Sequence, residues 1–207
     1  GDPDDADVAA DRVVDHLRTR KDLDPARIGV TGHSRGGKAA ILAGASDTRI
    51  ALTSPNNSGC GGAGSFKWQA EGCEKLEHIL KAIPYWFIPR LKDYLGKERE
   101  LPFDQHFLKA AVAPRAYFST EALGDLWANP EGTRQTHDAA REVWRWLGAE
   151  DRCAIRYRPG EHAHRLDDWE ALLDFADRCY LGKARGAAFD DNPFHPLPRA
   201  YAWSAPG

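Results

Sequence analysis

Apolar residues fall in two rhythms along this chain. Over residues 4–21, Ala10, Val13, Val14 and Leu17 recur at i, i+3, i+4 and i+7 behind an acidic start, the period of a helix with one apolar face. Asp24-Pro25 breaks that pattern, and short apolar runs at 28–31, 50–54, 115–120 and 153–158 predict four strands. Helical stretches separate them. One opens just after Ser34, one covers 71–82, a short one leads through Ala111, and one spans 133–147 with Ala140, Val143, Trp144 and Leu147 inward. The last, 167–181, sets Trp169, Leu172, Leu173, Ala176 and Tyr180 on one face. Helix, strand, helix, strand in that order argues for an α/β fold, a mostly parallel sheet with helices on both faces. The proline-bounded aromatic segment 84–89 reads as packing or as the wall of a cleft, and residues 183–207, rich in proline and glycine, as a tail over the surface.

Composition adds limits. The chain has 207 residues, 42% hydrophobic and 29% charged, the size and balance of one globular domain. A net charge of -3 gives no electrostatic case for nucleic acid or an anionic membrane, and no apolar run approaches the roughly 18 residues of a membrane span. Seven tryptophans are many for this length; exposed ones would suit stacking on sugars, although most are expected in the core.

The chemistry starts at Gly32-His33-Ser34-Arg35-Gly36. It follows a strand and opens a helix, the context in which G-x-S-x-G is a nucleophile elbow, with glycines allowing strand and helix to approach. Ser34 is then the nucleophile, and the Arg35 backbone N–H lies where an oxyanion would form. Lys38, one turn on, shares the Ser34 face of the helix, so two cations flank the serine, as an anionic or hydroxylated substrate would require. An elbow this early, in a chain without methionine, leads to the expectation that N-terminal strands are missing and that residues 1–207 form one partial catalytic domain.

Nucleophilic acyl transfer also needs a base and a carboxylate that fixes its tautomer. The loop after the third predicted strand carries Glu121 and Asp125, of which Asp125, deeper and near Trp127, is preferred; the loop after the fourth carries His162 and His164, which spacing cannot separate. Gly59 to Gly64 satisfies G-x-G-x-x-G but lacks both the helix and the acid about 20 residues on that dinucleotide binding needs, so it reads as a close-approach wall of the site. Asn56-Asn57-Ser58 is a formal glycosylation sequon. His162-Ala163-His164 with Asp167 and Asp168 lacks the further ligands of a metal cluster, so no metal and no cofactor are expected. Cys153 and Cys179 read as buried thiols, whereas Cys60 and Cys73 flank a loop and could pair in an exported protein.

GHSRGGK, PNNSGCGGAG, LPFDQH, DLWANP and PGEHAH followed by DDWEALLDFAD together resemble the glucuronoyl esterases, carbohydrate esterase family fifteen, over nearly all of residues 27–181. The resemblance implies an α/β-hydrolase fold and cleavage of esters between lignin alcohols and the 4-O-methylglucuronic acid of glucuronoxylan. It implies Ser34 as nucleophile, Arg35 adding its side chain to the oxyanion site, Lys38 on uronate hydroxyls, Trp127 on the sugar and Glu74 as a polar substrate contact. Where fungal members carry a catalytic glutamate this chain has Asn57, so the carboxylate falls to Asp125, as in some bacterial relatives, and the bacterial pattern puts the base at His162, the fungal one at His164. Secretion or a periplasmic location and a monomeric working unit complete the expectation.

Overall fold

The computed structural model describes residues 3–183, 188–194 and 196–206. Four parallel strands, β1 (Gly29–His33), β2 (Leu52–Asn56), β3 (Ala116–Ala122) and β4 (Cys153–Arg158), pair in the order in which the chain makes them. Parallel neighbours require crossovers, and these supply the helices. Their register brings His33 beside Asn56, Asn56 beside Thr120, and Ala122 beside Arg158, so four successive loops leave one carboxyl edge close together. That edge is where an open α/β sheet gathers its chemistry.

The helices are α1 (Pro3–Thr19), α2 (Arg35–Ser46), α3 (Leu76–Ala82), α4 (Gln105–Ala110), α5 (Pro130–Trp146) and α6 (Leu166–Leu181). Alternation along β3 divides the core in two. Tyr117 joins Ile41, Ala140, Trp144 and Cys153 under α2 and α5, whereas Ala116 and Phe118 join Ala171, Leu172 and Phe175 under α6. Phe118 stacks on Phe175 with ring centres 4.8 Å apart. Both faces of the sheet are therefore buried, which is why its strands read as apolar runs. The tail packs on this body: Phe189 meets Phe118 edge-on, Asp190 exchanges two hydrogen bonds with the Ile155 backbone, and Tyr201 donates to Asp104.

Several elements differ in phase from the sequence expectation. In α6, Trp169 and Leu173 are outward, 42% and 63% exposed, and the inward residues are Asp168, Ala171, Leu172 and Phe175. The rotation follows from Asp168, whose carboxylate is drawn inside by the buried Arg158 at 2.8 and 2.9 Å. In α1 Val13 faces solvent while Val14 packs with Ile28, Ala43 and Ile50. Leu147 lies beyond α5 and is exposed, and the helix buries Thr133, Thr136 and His137 beside Ala140 and Trp144. Residues 71–75 do not join α3, because Gly72 turns at φ +80° and the Glu74 N–H is taken by the Trp127 carbonyl.

Candidate active site

Ser34 sits between β1 and α2 at φ 54°, ψ -115°, a conformation that costs a non-glycine residue roughly 1–3 kcal/mol and persists only where its surroundings impose it. They do. A Cβ on Gly32 would lie 2.2 Å from the Gly36 carbonyl oxygen, one on Gly37 would lie 2.8 Å from the Ser58 Cβ, and one on Gly44 would lie 1.9 Å from Thr53 Oγ1. Gly36, by contrast, has open space around its Cβ position, so the glycines that admit the helix are Gly32, Gly37 and Gly44. The Ser34 N–H donates to the Asn56 carbonyl at 2.9 Å, tying the turn to β2. Arg35 opens α2, and its N–H is one of the unpaired donors of a helix start.

The loops after β3 and β4 are joined along their length. Leu123 N–H donates to the Arg158 carbonyl and Gly124 N–H to the Gly160 carbonyl, and a Cβ at Gly124 would sit 2.6 Å from that same oxygen. This brings Asp125 Oδ2 to 2.5 Å from His162 Nδ1. The carboxylate is 4% exposed and the imidazole 44%, so a buried carboxylate holds a partly exposed imidazole. A carboxylate only accepts, so Nδ1 carries the proton and Nε2 presents its lone pair. The Ser34 Oγ makes no capping bond.

The remaining candidates separate clearly. His164 does not meet Asp125; it stacks on Trp169 with centroids 4.5 Å apart, and its burial lowers its basicity. Glu121 belongs to β3, not to the loop, because the strand runs on to Ala122. It is wholly buried, accepts from Ser119 Oγ at 2.6 Å, and burial raises its carboxyl to about 8, so it is a core group that makes no hydrogen bond to either histidine.

Beside the elbow, Lys38 Nζ donates to the Ser58 and Cys60 carbonyls at 2.6 and 2.5 Å and faces Glu74 Oε2 at 3.8 Å. The glycine loop is thus a seat for the ammonium, and Gly61 must lack a Cβ because Phe87 lies 2.7 Å from that position. Burial pushes Lys38 down and Glu74 up, and each offsets the other's shift. Trp127, half exposed, faces the His78 ring across 5.2 Å. The Arg35 guanidinium lies 5.9 Å above the centre of Trp86, and the two line an apolar cavity of about 920 Å³ together with Lys38, Phe87 and Phe103.

Asn57 holds the loops together. Its Oδ1 accepts from Ala122 N–H at 2.7 Å and its Nδ2 reaches the Ala163 carbonyl at 3.4 Å, so it bridges the acid loop to the histidine loop. Asn56 is 1% exposed and bonded on both sides of its carboxamide, which removes the sequon as a glycan acceptor. Cys60 and Cys73 are free thiols. Sequence reasoning weighed Asn56 only as a sequon residue and Asp168 only as a metal ligand, and passed over Arg158. Arg158 donates to the Ala163 carbonyl, while Asp168 holds Arg158 and caps Arg165 N–H. The only advance signal was an arginine at a strand end before Pro159 and an acid in the first turn of α6.

A parallel sheet sandwiched by helices, with an elbow serine at its carboxyl edge, defines an α/β-hydrolase. Residues 8–148 match the family described as "Glucuronyl esterase, fungi". The chain is 37% identical over 186 residues to the carbohydrate esterase MZ0003 of an unknown prokaryotic organism, covering 83% of this chain and 43% of that protein. It superposes on a carbohydrate esterase family 15 glucuronoyl esterase from Caldicellulosiruptor kristjansonii with a TM-score of 0.91, at 34% identity, over 97% of this chain and 56% of the other. The glucuronoyl esterase from Sporotrichum thermophile, solved as a serine-to-alanine mutant with methyl 4-O-methyl-beta-D-glucopyranuronate, gives a TM-score of 0.77 at 26% identity, over 90% and 54% of the two chains. The chain belongs to the glucuronoyl esterase family, and it spans about half the length of these relatives.

Proposed function

We propose that this chain is the part of a carboxylesterase that carries the serine, acid and base, and that it cleaves esters of 4-O-methylglucuronic acid on glucuronoxylan, with lignin alcohols as leaving groups. The observation that carries the reading is the 2.5 Å pair of Asp125 and His162 on the sheet edge from which Ser34 is presented. His162 Nε2 takes the Ser34 proton as Oγ attacks the uronate carbonyl. Asp125 holds the tautomer and stabilises the imidazolium that results. The oxyanion forms against the Arg35 N–H at the start of α2, with the guanidinium alongside. His162 then protonates the departing alcohol, and water repeats the sequence on the acyl-enzyme.

Lys38, Glu74 and Trp127 bind the sugar. A charged donor, a carboxylate acceptor and an exposed indole on one side of the elbow suit a hydroxylated ring. The methyl uronate held by the Sporotrichum thermophile relative supports a uronic acid on the acyl side. A polymeric substrate of the plant wall also favours an exported protein.

The test compares hydrolysis of a benzyl glucuronate ester with deacetylation of an acetylated xylo-oligosaccharide. Preference for the uronate ester, abolished in Ser34→Ala, is the expected result. Preference for the acetyl ester would overturn the substrate and leave the serine mechanism standing.

A further inference from the structure

Three imidazoles and an indole form a column across the site. Trp169 stacks on His164 at 4.5 Å, His164 on His33 at 5.7 Å with an interplanar angle of 20°, and His33 meets His162 at 4.5 Å with the rings tilted by 44°. His33 is the variable letter of the elbow motif, so its ring is attached to the same turn as Ser34.

The far side of His33 is pinned. Its Nδ1 lies 2.6 Å from Asn56 Oδ1, and Asn56 Nδ2 donates to the Thr120 hydroxyl at 2.8 Å and the Thr120 carbonyl at 3.2 Å. A carbonyl accepts only, so the amino side of Asn56 faces Thr120 and its oxygen faces His33, which makes His33 Nδ1 the donor. Asn56 also accepts the Ser34 N–H at 2.9 Å through its main-chain oxygen. One buried residue of β2 therefore fixes the nucleophile and the ring beside it in a common frame.

His162 needs such a stop. It is 44% exposed, follows Gly160 at φ +102°, and among the described residues its one side-chain bond is to Asp125. A ring tethered at one nitrogen can still pivot about that bond. We propose that His33, locked by Asn56 and backed by His164 and Trp169, is a positioning residue: its ring blocks the pivot of His162 and keeps Nε2 aimed at Ser34. This rests on the serine mechanism proposed above and adds to it a part that touches no substrate.

Two variants separate ring from hydrogen bond. His33→Phe keeps a ring but no donor for Asn56, and His33→Asn keeps an amide donor but no ring. A displacement of about 1 Å costs on the order of 10²-fold in rate, so His33→Asn is expected to lose on the order of 10- to 100-fold in kcat. Its KM stays near that of the parent, and His33→Phe recovers most of the kcat loss. In proton NMR, the downfield Nδ1–H resonance of His162 stays sharp in the parent and in His33→Phe and broadens in His33→Asn. A fluorophosphonate probe reads the base without any sugar: the Oγ–P bond forms, fluoride leaves, and the hydroxyl proton passes to His162. An unlabelled parent would sink the serine mechanism itself. A labelled parent with His33→Asn labelled equally fast, or with kcat unchanged in His33→Asn, would overturn the positioning role alone, as would a loss in His33→Phe equal to that in His33→Asn.

Discussion

Replacing Asp125 by Asn tests the proposed mechanism most sharply, because the structure dictates how the new side chain must sit. Asp125 Oδ1 accepts the Ala128 N–H at 3.3 Å, and Oδ2 faces His162 at 2.5 Å. An asparagine that keeps the first bond with its oxygen must offer its amino group to the imidazole. Two donors cannot face each other, so Nδ1 becomes the acceptor and the proton moves to Nε2. The nitrogen that should deprotonate Ser34 is then itself protonated. The same change in a serine protease lowers kcat by about 10⁴-fold, equivalent to roughly 5.5 kcal/mol at 1.4 kcal/mol per decade. The site volume hardly changes, so KM for a benzyl glucuronate ester stays within a few-fold and the loss appears in kcat. A fluorophosphonate probe should lose labelling rate in parallel. Turnover within about tenfold of the parent, far short of the loss a wrong tautomer causes, would refute the argument that this acid holds this base.

Three further outcomes follow from the same geometry. Arg158→Met leaves the Asp168 carboxylate, 2% exposed, without its cation and the Ala163 carbonyl with only the longer bond from Asn57, so the urea midpoint should fall by the equivalent of about 3–5 kcal/mol; an unchanged midpoint would contradict the buried pair. Lys38→Met strips the Ser58 and Cys60 carbonyls of a donor and Glu74 of its counter-ion, which should lower the melting temperature by an amount corresponding to about 1–3 kcal/mol and raise KM for the uronate ester more than it lowers kcat. Glu121 is raised to about 8 from 4.5, so the folded protein keeps a proton that the unfolded chain releases; the associated stability is whole below pH 4.5 and is lost as pH rises to about 8. Glu121→Gln, which can still accept from Ser119, should therefore gain in urea midpoint relative to the parent as pH is raised across that interval.

The strands and the elbow were legible because they depend on local pattern. Four apolar runs became four strands within a few residues, and Gly32 marked a turn that only close backbone contact explains. What misled was helix phase. Nothing in the period of α6 tells that Asp168 turns inward and Trp169 outward, since the deciding force is an ion pair with Arg158, ten residues away on another element. Glu121 was misplaced for a related reason: a carboxylate reads as the start of a loop, yet β3 carries it into the core, where Ser119 bonds it and Lys109 lies close enough to pull its titration down. His162 and His164 were inseparable at spacing two, and they part because the paired loops after β3 and β4 bring Asp125 to His162, whereas His164 stacks on Trp169 of α6.

Asn57 holds two loops of the site in one frame with a single side chain. A carboxylate at this position would be an acceptor only, unable to donate to the Ala163 carbonyl that Arg158 also holds. The carboxamide both accepts from Ala122, three residues before Asp125, and donates to Ala163, next to His162. Asn57 is thereby a cross-brace between the two loops that must stay in register. A sequence departure that looks like decay of a catalytic triad is, in this fold, consistent with an intact one, because the group that braces and the group that carries the charge follow different strands.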